Sequence, residues 1–418
     1  MAGKRLITSL HMKSILDKHD IESLADQLKP KPDPQPQHFL PNSKVTEHRT
    51  KKLWKAIGED PHPDILDDWT SNHLETFDGN IENFIGSVKI PVGVAGPLRI
   101  NGLFAHGDYP IPLATSEAAL VASYHRGACM ISAAGGCTAM VLSQAVNRAP
   151  AFAFDSMSIA GQFVVWVMEA FPQFQKVADA TTNHGKLIEY GTTLEGNHVY
   201  LNFEFITGDA SGQNMVTIAT QAVCDFISEN CPLPIQQIYV EGNLSGDKKA
   251  SSQAYTSVRG RKVSAEIILT PEVLDKYVHA TPRQLIDYWR MSAIGGVLSG
   301  TMGVQGHFAN GLAALYIATG QDAACVAEST MGVTRFEETA EGNLYASVTL
   351  PGVMVGTVGG GTGLPTQKAC LEMMGLHGSG KSGALAEVCA GLLLGGELSI
   401  IAALATGDFT RAHHKLAR

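Results

Sequence analysis

Four chemically capable sites stand out by residue type and setting: Glu117 in ATSEAALVAS, Asp247-Lys248-Lys249 in EGNLSGDKKA, Asp322 in ATGQDAA, and His413 five residues from the end. Two acids, a cation and a histidine could together stabilise an oxyanion and protonate a leaving thiolate, provided they converge in space. Each is also ordinary taken alone. An acid in the first helical turn favours the helix dipole, a charged triplet usually forms a solvated face, an Asp at a Gly turn commonly caps a helix, and chain ends are often disordered. The chemical reading is sharper. The helix dipole favours ionised Glu117 while burial among Ala and Leu favours its neutral form, a balance suited to a proton donor near neutral pH. One Lys of the triplet would hold an oxyanion, with Asp247 holding substrate hydroxyls or positioning that Lys. Asp322 would lie between Glu117 and Lys248 and tune both. A tail carrying His413 could close over the site.

These residues need elements to hold them. Residues 1–68 read as a helical N-terminal unit, with apolar steps of three and four through LITSLHMKSILDKHDIESLADQL and a stiff connector containing Pro30, Pro32, Pro34 and Pro36. ENFIGSVKIPVGVAGPLRING reads as strand, turn and strand. A helix over Ser116–Ser132, capped by Thr115, carries Glu117, and a second helix is expected over Gly136–Asn147. Residues 150–240 change character: AFAFDSM, KLIEYGTTLEGNHVYLNFEF and PIQQIYVEG pattern as strands around two helices, giving the β-α-β-β-α-β order of a split βαβ, ferredoxin-like unit. The reading is an α+β chain. A large, mostly helical substrate domain (69–149 and 241–418) surrounds an inserted ferredoxin-like domain (150–240). Within the insert, GDASGQNM precedes a predicted helix, where backbone N–H groups can bind phosphate. No strand–GxGxxG–helix unit supports a Rossmann fold.

Composition bounds the partners. The 418 residues carry a formal net charge of −9, which argues against non-specific nucleic-acid binding. The seven cysteines form no CxxC pair and suit reduced thiols in a cytoplasmic protein, and no metal site is suggested. The N-terminus lacks an apolar signal core. Ala390–Thr406 is apolar but short and carries Glu397, so it reads as a buried helix and no membrane span is expected.

ENFIGSVKIPVGVAGPL, ATSEAALVAS, GDASGQNM, GNLSGDKK, GQDAA and GTVGGGTGLPTQKACLEMMG occur in one order over residues 60–418. That order resembles the 3-hydroxy-3-methylglutaryl-CoA (HMG-CoA) reductases, in the form shared by eukaryotes and many archaea. The resemblance implies four-electron reduction of HMG-CoA to mevalonate and coenzyme A by NADPH, or NADH, through a hemithioacetal and an aldehyde. It implies that Lys248 holds the oxyanion, Glu117 donates the proton in aldehyde reduction, Asp322 couples to both, and His413 protonates the CoA thiolate. Arg148, Asp247, Lys249, Arg290 and Asn310 would bind substrate, and Asp209, Ala210, Ser211, Gly212, Gln213 and Asn214 would hold the dinucleotide. It also implies a homodimer or homotetramer with its site at a subunit interface.

Some positions depart from the family pattern. Glu241 stands where Ser precedes the GN motif, Arg290 replaces a substrate-carboxylate Lys, and His125 and Cys129 replace Asn and Arg near CoA. Thr182-Asn183 replaces a Ser-Arg pair that reads the NADPH 2′-phosphate, with His184 or Lys186 nearby. These departures keep open a relative that reduces another acyl thioester, CoA- or carrier-bound, and a non-catalytic nucleotide-binding relative.

Overall fold

The computed structural model describes residues 2–34, 39 and 44–408; His413 lies outside them. The chain divides into two compact units, the first running to Val88 and the second beginning at Lys89. The first unit holds α1 (Ala2–Leu16), α2 (Ile21–Leu28), α3 (Glu47–Ile57) and α4 (Asp68–Asn72). Asp20 and Thr46 cap α2 and α3 by accepting backbone N–H bonds, and left-handed Gly58 ends α3. The unit extends past the expected boundary at 68 because later residues complete its core. Trp54 is buried and its indole Nε1 donates to Ile85 O at 2.9 Å, while Phe77 stacks on Phe84 at 4.6 Å.

The second unit begins with β1 (Val92–Gly102), β2 (His106–Ala114), α5 (Leu120–Ala133) and β3 (Cys137–Arg148). Next come β4 (Ala151–Ala153), α6 (Met157–Asp179), β5 (Lys186–Glu195), β6 (His198–Ile206), α7 (Gln213–Asn230) and β7 (Gln237–Tyr239). The remainder is β8 (Gly260–Leu269), α8 (Pro271–Val278), α9 (Pro282–Ser299), α10 (Phe308–Thr319), α11 (Val326–Ser329), β9 (Val333–Glu338), β10 (Leu344–Val353), α12 (Pro365–Met373) and α13 (Ser382–Thr406).

The fold is α+β. Strands β7-β4-β6-β3-β8-β10-β9 follow one path, with β5 on β6 and the β1–β2 hairpin joined through β1 to β3. Residues 150–240 adopt the β-α-β-β-α-β order, with all neighbours antiparallel along β7-β4-β6-β5, the strand arrangement of a split βαβ unit.

Three local expectations are corrected. The helix expected over Gly136–Asn147 is strand β3, because its alternating side chains lie between β1 and β8 and its last residues pair with β6. The helix expected from Ser116 starts at Leu120, after Ala119 turns to φ 67°; Thr115 Oγ1 instead accepts from Glu117 N at 3.0 Å in a turn. The segment after 250, expected to be mainly helical, also supplies β8, which lies between β3 and β10, and the edge strand β9.

Helix α13 is the core. By length and composition it could cross a membrane, but 83% of its most apolar stretch is buried within the fold. It meets α5 where Gly127 faces Gly395; a Cβ on Gly127 would collide with the Gly395 carbonyl. Two buried acids interrupt the apolar helix. Glu387 accepts backbone N–H bonds from Leu103, Phe104, Ala105 and Val141 at 2.7–3.3 Å, tying the β1–β2 turn and β3 to the core.

Candidate active site

Lys248 and Asp322 come together as expected: Lys248 Nζ lies 2.9 Å from Asp322 Oδ2. Lys248 occupies the left-handed region at φ 56°, which is uncommon for a side chain this long and fixes where the amine emerges from the GDKK turn. Asp322 is the cap of a short turn, accepting from Ala324 N at 3.0 Å, and also accepts from Gln213 Nε2 at 3.3 Å. The hydrogen bond that Lys248 donates to Asp322 raises the amine's pKa above its ordinary value. Burial pushes the Asp322 carboxyl up, but the Lys248 and Ala324 bonds outweigh it and the net shift is downward. The pair is therefore held charged, with a cation presented at a cavity wall.

That cavity, of about 490 Å³, lies between the 210–215 loop and the glycine-rich 356–362 loop, with Lys248 and Asp322 on its wall. Ala210, Ser211, Gly212, Gln213 and Asn214 line it. Helix α7 is capped there by Gly212, at φ 76° and with no capping side chain, so no side chain competes for its first N–H groups, which leaves them to an anion. Gly356 allows the two loops to touch, since a Cβ there would lie 2.6 Å from Ser211 N. Asp209 departs from its expected place. Its carboxylate accepts from Gly380 N, Ser382 N and Ser382 Oγ at 2.7–3.2 Å and so anchors the loop to the start of α13.

Glu117 lies elsewhere. Both its oxygens accept from Asn310 Nδ2 at 2.9 Å, and the two residues line a second cavity of about 340 Å³. Leu120, Ala122, Ile400 and Leu404 make that wall apolar, with Arg126 at its edge. Asp322, expected between Glu117 and Lys248, contacts only the Lys248 side of this arrangement.

Arg148 and Asp247 belong to a partly buried ionic cluster. Arg148 Nη1 contacts Asp247 Oδ2 at 3.0 Å and Glu241 Oε2 at 3.3 Å. Arg259, which sequence reading missed, reaches Asp247 and Glu328, each at 2.5 Å, and donates to Asn147 O at 2.9 Å. Burial raises the Glu328 carboxyl above its usual range against the pull of Arg259. Lys249 folds back onto Asp247 O at 2.9 Å. Arg290 joins neither cavity: it is exposed on α9, 3.6 Å from Asp287.

A family model for hydroxymethylglutaryl-coenzyme A reductase matches residues 46–418. The HMG-CoA reductase of Methanocaldococcus jannaschii is 42% identical over 90% of this chain and 93% of its own length. That of Aeropyrum pernix is 44% identical over 82% of this chain and 83% of its own. This chain is a member of the HMG-CoA reductase family. A Streptococcus pneumoniae class II HMG-CoA reductase, solved bound to NADPH in open conformations, shares the fold with a TM-score of 0.63 at 18% identity, covering 86% of this chain and 97% of that one.

Two buried charged residues near these cavities differ in how far the sequence announced them. Arg259 is invisible in SVRGRK because its partners lie far along the chain. Glu397 did leave a trace, as an acid inside an apolar run. It is fully buried and accepts from Gly306 N, His307 N and His307 Nδ1 at 2.7–3.2 Å.

Proposed function

We propose that this chain reduces HMG-CoA to mevalonate and coenzyme A, and the observation that carries the reading is the Lys248–Asp322 pair on the wall of the cavity formed by the 210–215 loop. NADPH would supply a hydride in each of the two reductive steps. The uncapped α7 N-terminus suits its pyrophosphate, with Ser211, Gln213 and Asn214 as further donors. As the thioester carbonyl gains charge, Lys248 stabilises the oxyanion, and Asp322 keeps the amine charged and aimed. Arg148, Asp247, Lys249 and Asn310 orient the acyl group. Glu117 protonates the aldehyde oxygen in the second reduction, and His413 protonates the departing thiolate.

Within one chain Glu117 and Lys248 line different cavities. The reading therefore includes a homo-oligomer in which one subunit's Glu117 cavity meets another's Lys248 cavity. The apolar side chains exposed on α9 (Met291, Ile294, Val297 and Leu298) suit such contact. Arg290, on the same helix, would then approach substrate only in the assembly.

One observation favours a second reading. Glu241 adds a second carboxylate to the Arg148 guanidinium, which Asp247 already engages, and so leaves less of it for an acyl carboxylate or hydroxyl, which suits a different acyl thioester. The test is oxidation of reduced nicotinamide by purified protein with HMG-CoA, NADPH and NADH being compared. Two nicotinamides consumed per thioester support the reading. A folded protein inactive on HMG-CoA but active on another acyl thioester supports the second.

A further inference from the structure

The Glu117 cavity holds a carboxylate–histidine pair that the reading above does not use. The His307 ring lines its wall, three residues before Asn310, so both come from the first turn of α10. His307 is fixed from three directions. Glu397 Oε1 accepts its backbone N at 2.8 Å and its Nδ1 at 3.2 Å. Its ring stacks on Tyr124 with centroids 5.1 Å apart, and its carbonyl accepts from the Tyr124 hydroxyl at 3.1 Å. Glu397 has donors on both oxygens and no exposure. It therefore acts as an acceptor, which makes Nδ1 the donor and leaves Nε2 as the nitrogen that can gain or lose a proton. Nε2 is buried and makes no hydrogen bond. An orphaned buried nitrogen on an oriented imidazole costs stability without a partner, so the arrangement calls for one.

We propose that the His307–Glu397 pair returns a proton to Glu117 after each aldehyde reduction. The inference rests on the role given to Glu117. In the reductive step the aldehyde carbon would receive hydride from a bound nicotinamide, and the carbonyl oxygen takes the Glu117 proton. The imidazolium of His307 then passes its Nε2 proton to the Glu117 carboxylate, directly or through one water, and neutral His307 regains a proton from solvent. The other proton stays on Nδ1, donated to Glu397, throughout. His307 thus acts through Glu117 as a positioning residue. The other ionisable groups facing it are Tyr124 and Arg126. Burial first, then the carboxylates of Glu397 and Glu117, push the Tyr124 hydroxyl well above its usual range, so it stays neutral. Arg126 is engaged with Ser399 at 2.8–3.1 Å and does not release a proton.

The experiment uses His307→Asn, whose amide can keep the Nδ1-type donor to Glu397 while deleting Nε2. Turnover of free aldehyde with NADPH should fall about 10²-fold with KM nearly unchanged, the usual scale for a lost acid–base group. Added imidazole should restore part of the rate. In a measurement needing no substrate, infrared difference titration of the Glu117 carboxyl, assigned with Glu117→Gln, should move to higher pH in His307→Asn as a nearby cation is lost. An unmoved titration, or a rate loss that imidazole does not rescue and that tracks a fall in Tm, overturns the proposal. A shifted titration in a protein that reduces no HMG-CoA would sustain the proton coupling and remove the reductase reading instead.

Discussion

Asn310 gives one amide nitrogen to both oxygens of Glu117, at 2.9 Å each. The carboxyl is thereby held in one plane at the mouth of an apolar cavity, with the N-terminus of α10 behind the amide.

Asn310→Ala should free that carboxyl to rotate while leaving the fold in place, because Asn310 lies at the surface of its helix. Aldehyde reduction should fall by about tenfold or more, the scale of a lost orienting contact near the reacting atoms. Thioester reduction to the aldehyde should change less. Separate assays of the two half-reactions decide it, and equal losses would remove Asn310 as the Glu117 orienter.

Asp322→Asn should dissociate stability from catalysis. The Lys248–Asp322 pair is partly solvated, so its contribution to folding is well under about 1 kcal/mol and Tm should barely move. The rate should nonetheless drop by about 10²–10³, as when an electrostatic stabiliser loses its support. The signs of the pH dependence are opposite for the two groups. The Lys248 pKa is raised, so its small stabilisation is complete below 10.5 and fades as pH climbs through the higher folded value. The Asp322 pKa is lowered, so its share is present above 3.8 and fades as pH falls through the lower folded value. Urea melts across pH should show both slopes weaken in the variant.

Glu241→Ser tests whether this acid sets substrate choice. Arg148 would keep Asp247 and regain a free face. KM for HMG-CoA should fall several-fold with kcat maintained. A higher KM would show that Glu241 assists the acyl site rather than blocking it.

Arg259→Ala should cost about 3–5 kcal/mol, because it strands buried Glu328, while Asp247 keeps its contact with Arg148. Equilibrium urea unfolding measures this, and a loss within 1 kcal/mol, the range of an exposed pair, would mean that the cluster is hydrated in solution.

Gly127→Ala should destabilise by about 1–3 kcal/mol or more, since the added methyl meets the Gly395 carbonyl of a rigid neighbouring helix. Thermal melts suffice to check it.

Sequence reading succeeded where local pattern and final environment agree. The inserted layer was legible because α6 and α7 are long and periodic and β5–β6 is a hairpin. It failed at β3, where CTAMVLSQAVNR has apolar residues compatible with either period and only neighbouring strands select the extended form. Lys248 and Asp322 were legible as motifs. The pairing of Glu117 with Asn310 and the split into two cavities were not, because they depend on where α5 and α10 dock. His307 offered no signal without Glu397, ninety positions away, which supplies its orientation.

Strand β3 is shared: its earlier residues pair with β8, a register shift falls between Val141 and Ser143, and Val146–Arg148 pair with Phe203–Phe205 of the inserted layer. The joint between the two layers is thus a stretch of hydrogen-bonded ladder, stiff in bending and compliant only in torsion. Any swivel of the inserted layer must wind this shaft, and Arg148, at its far end, would turn with it. Motion of the 210–215 wall of the large cavity is geared to the Arg148–Asp247 contact instead of being free of it.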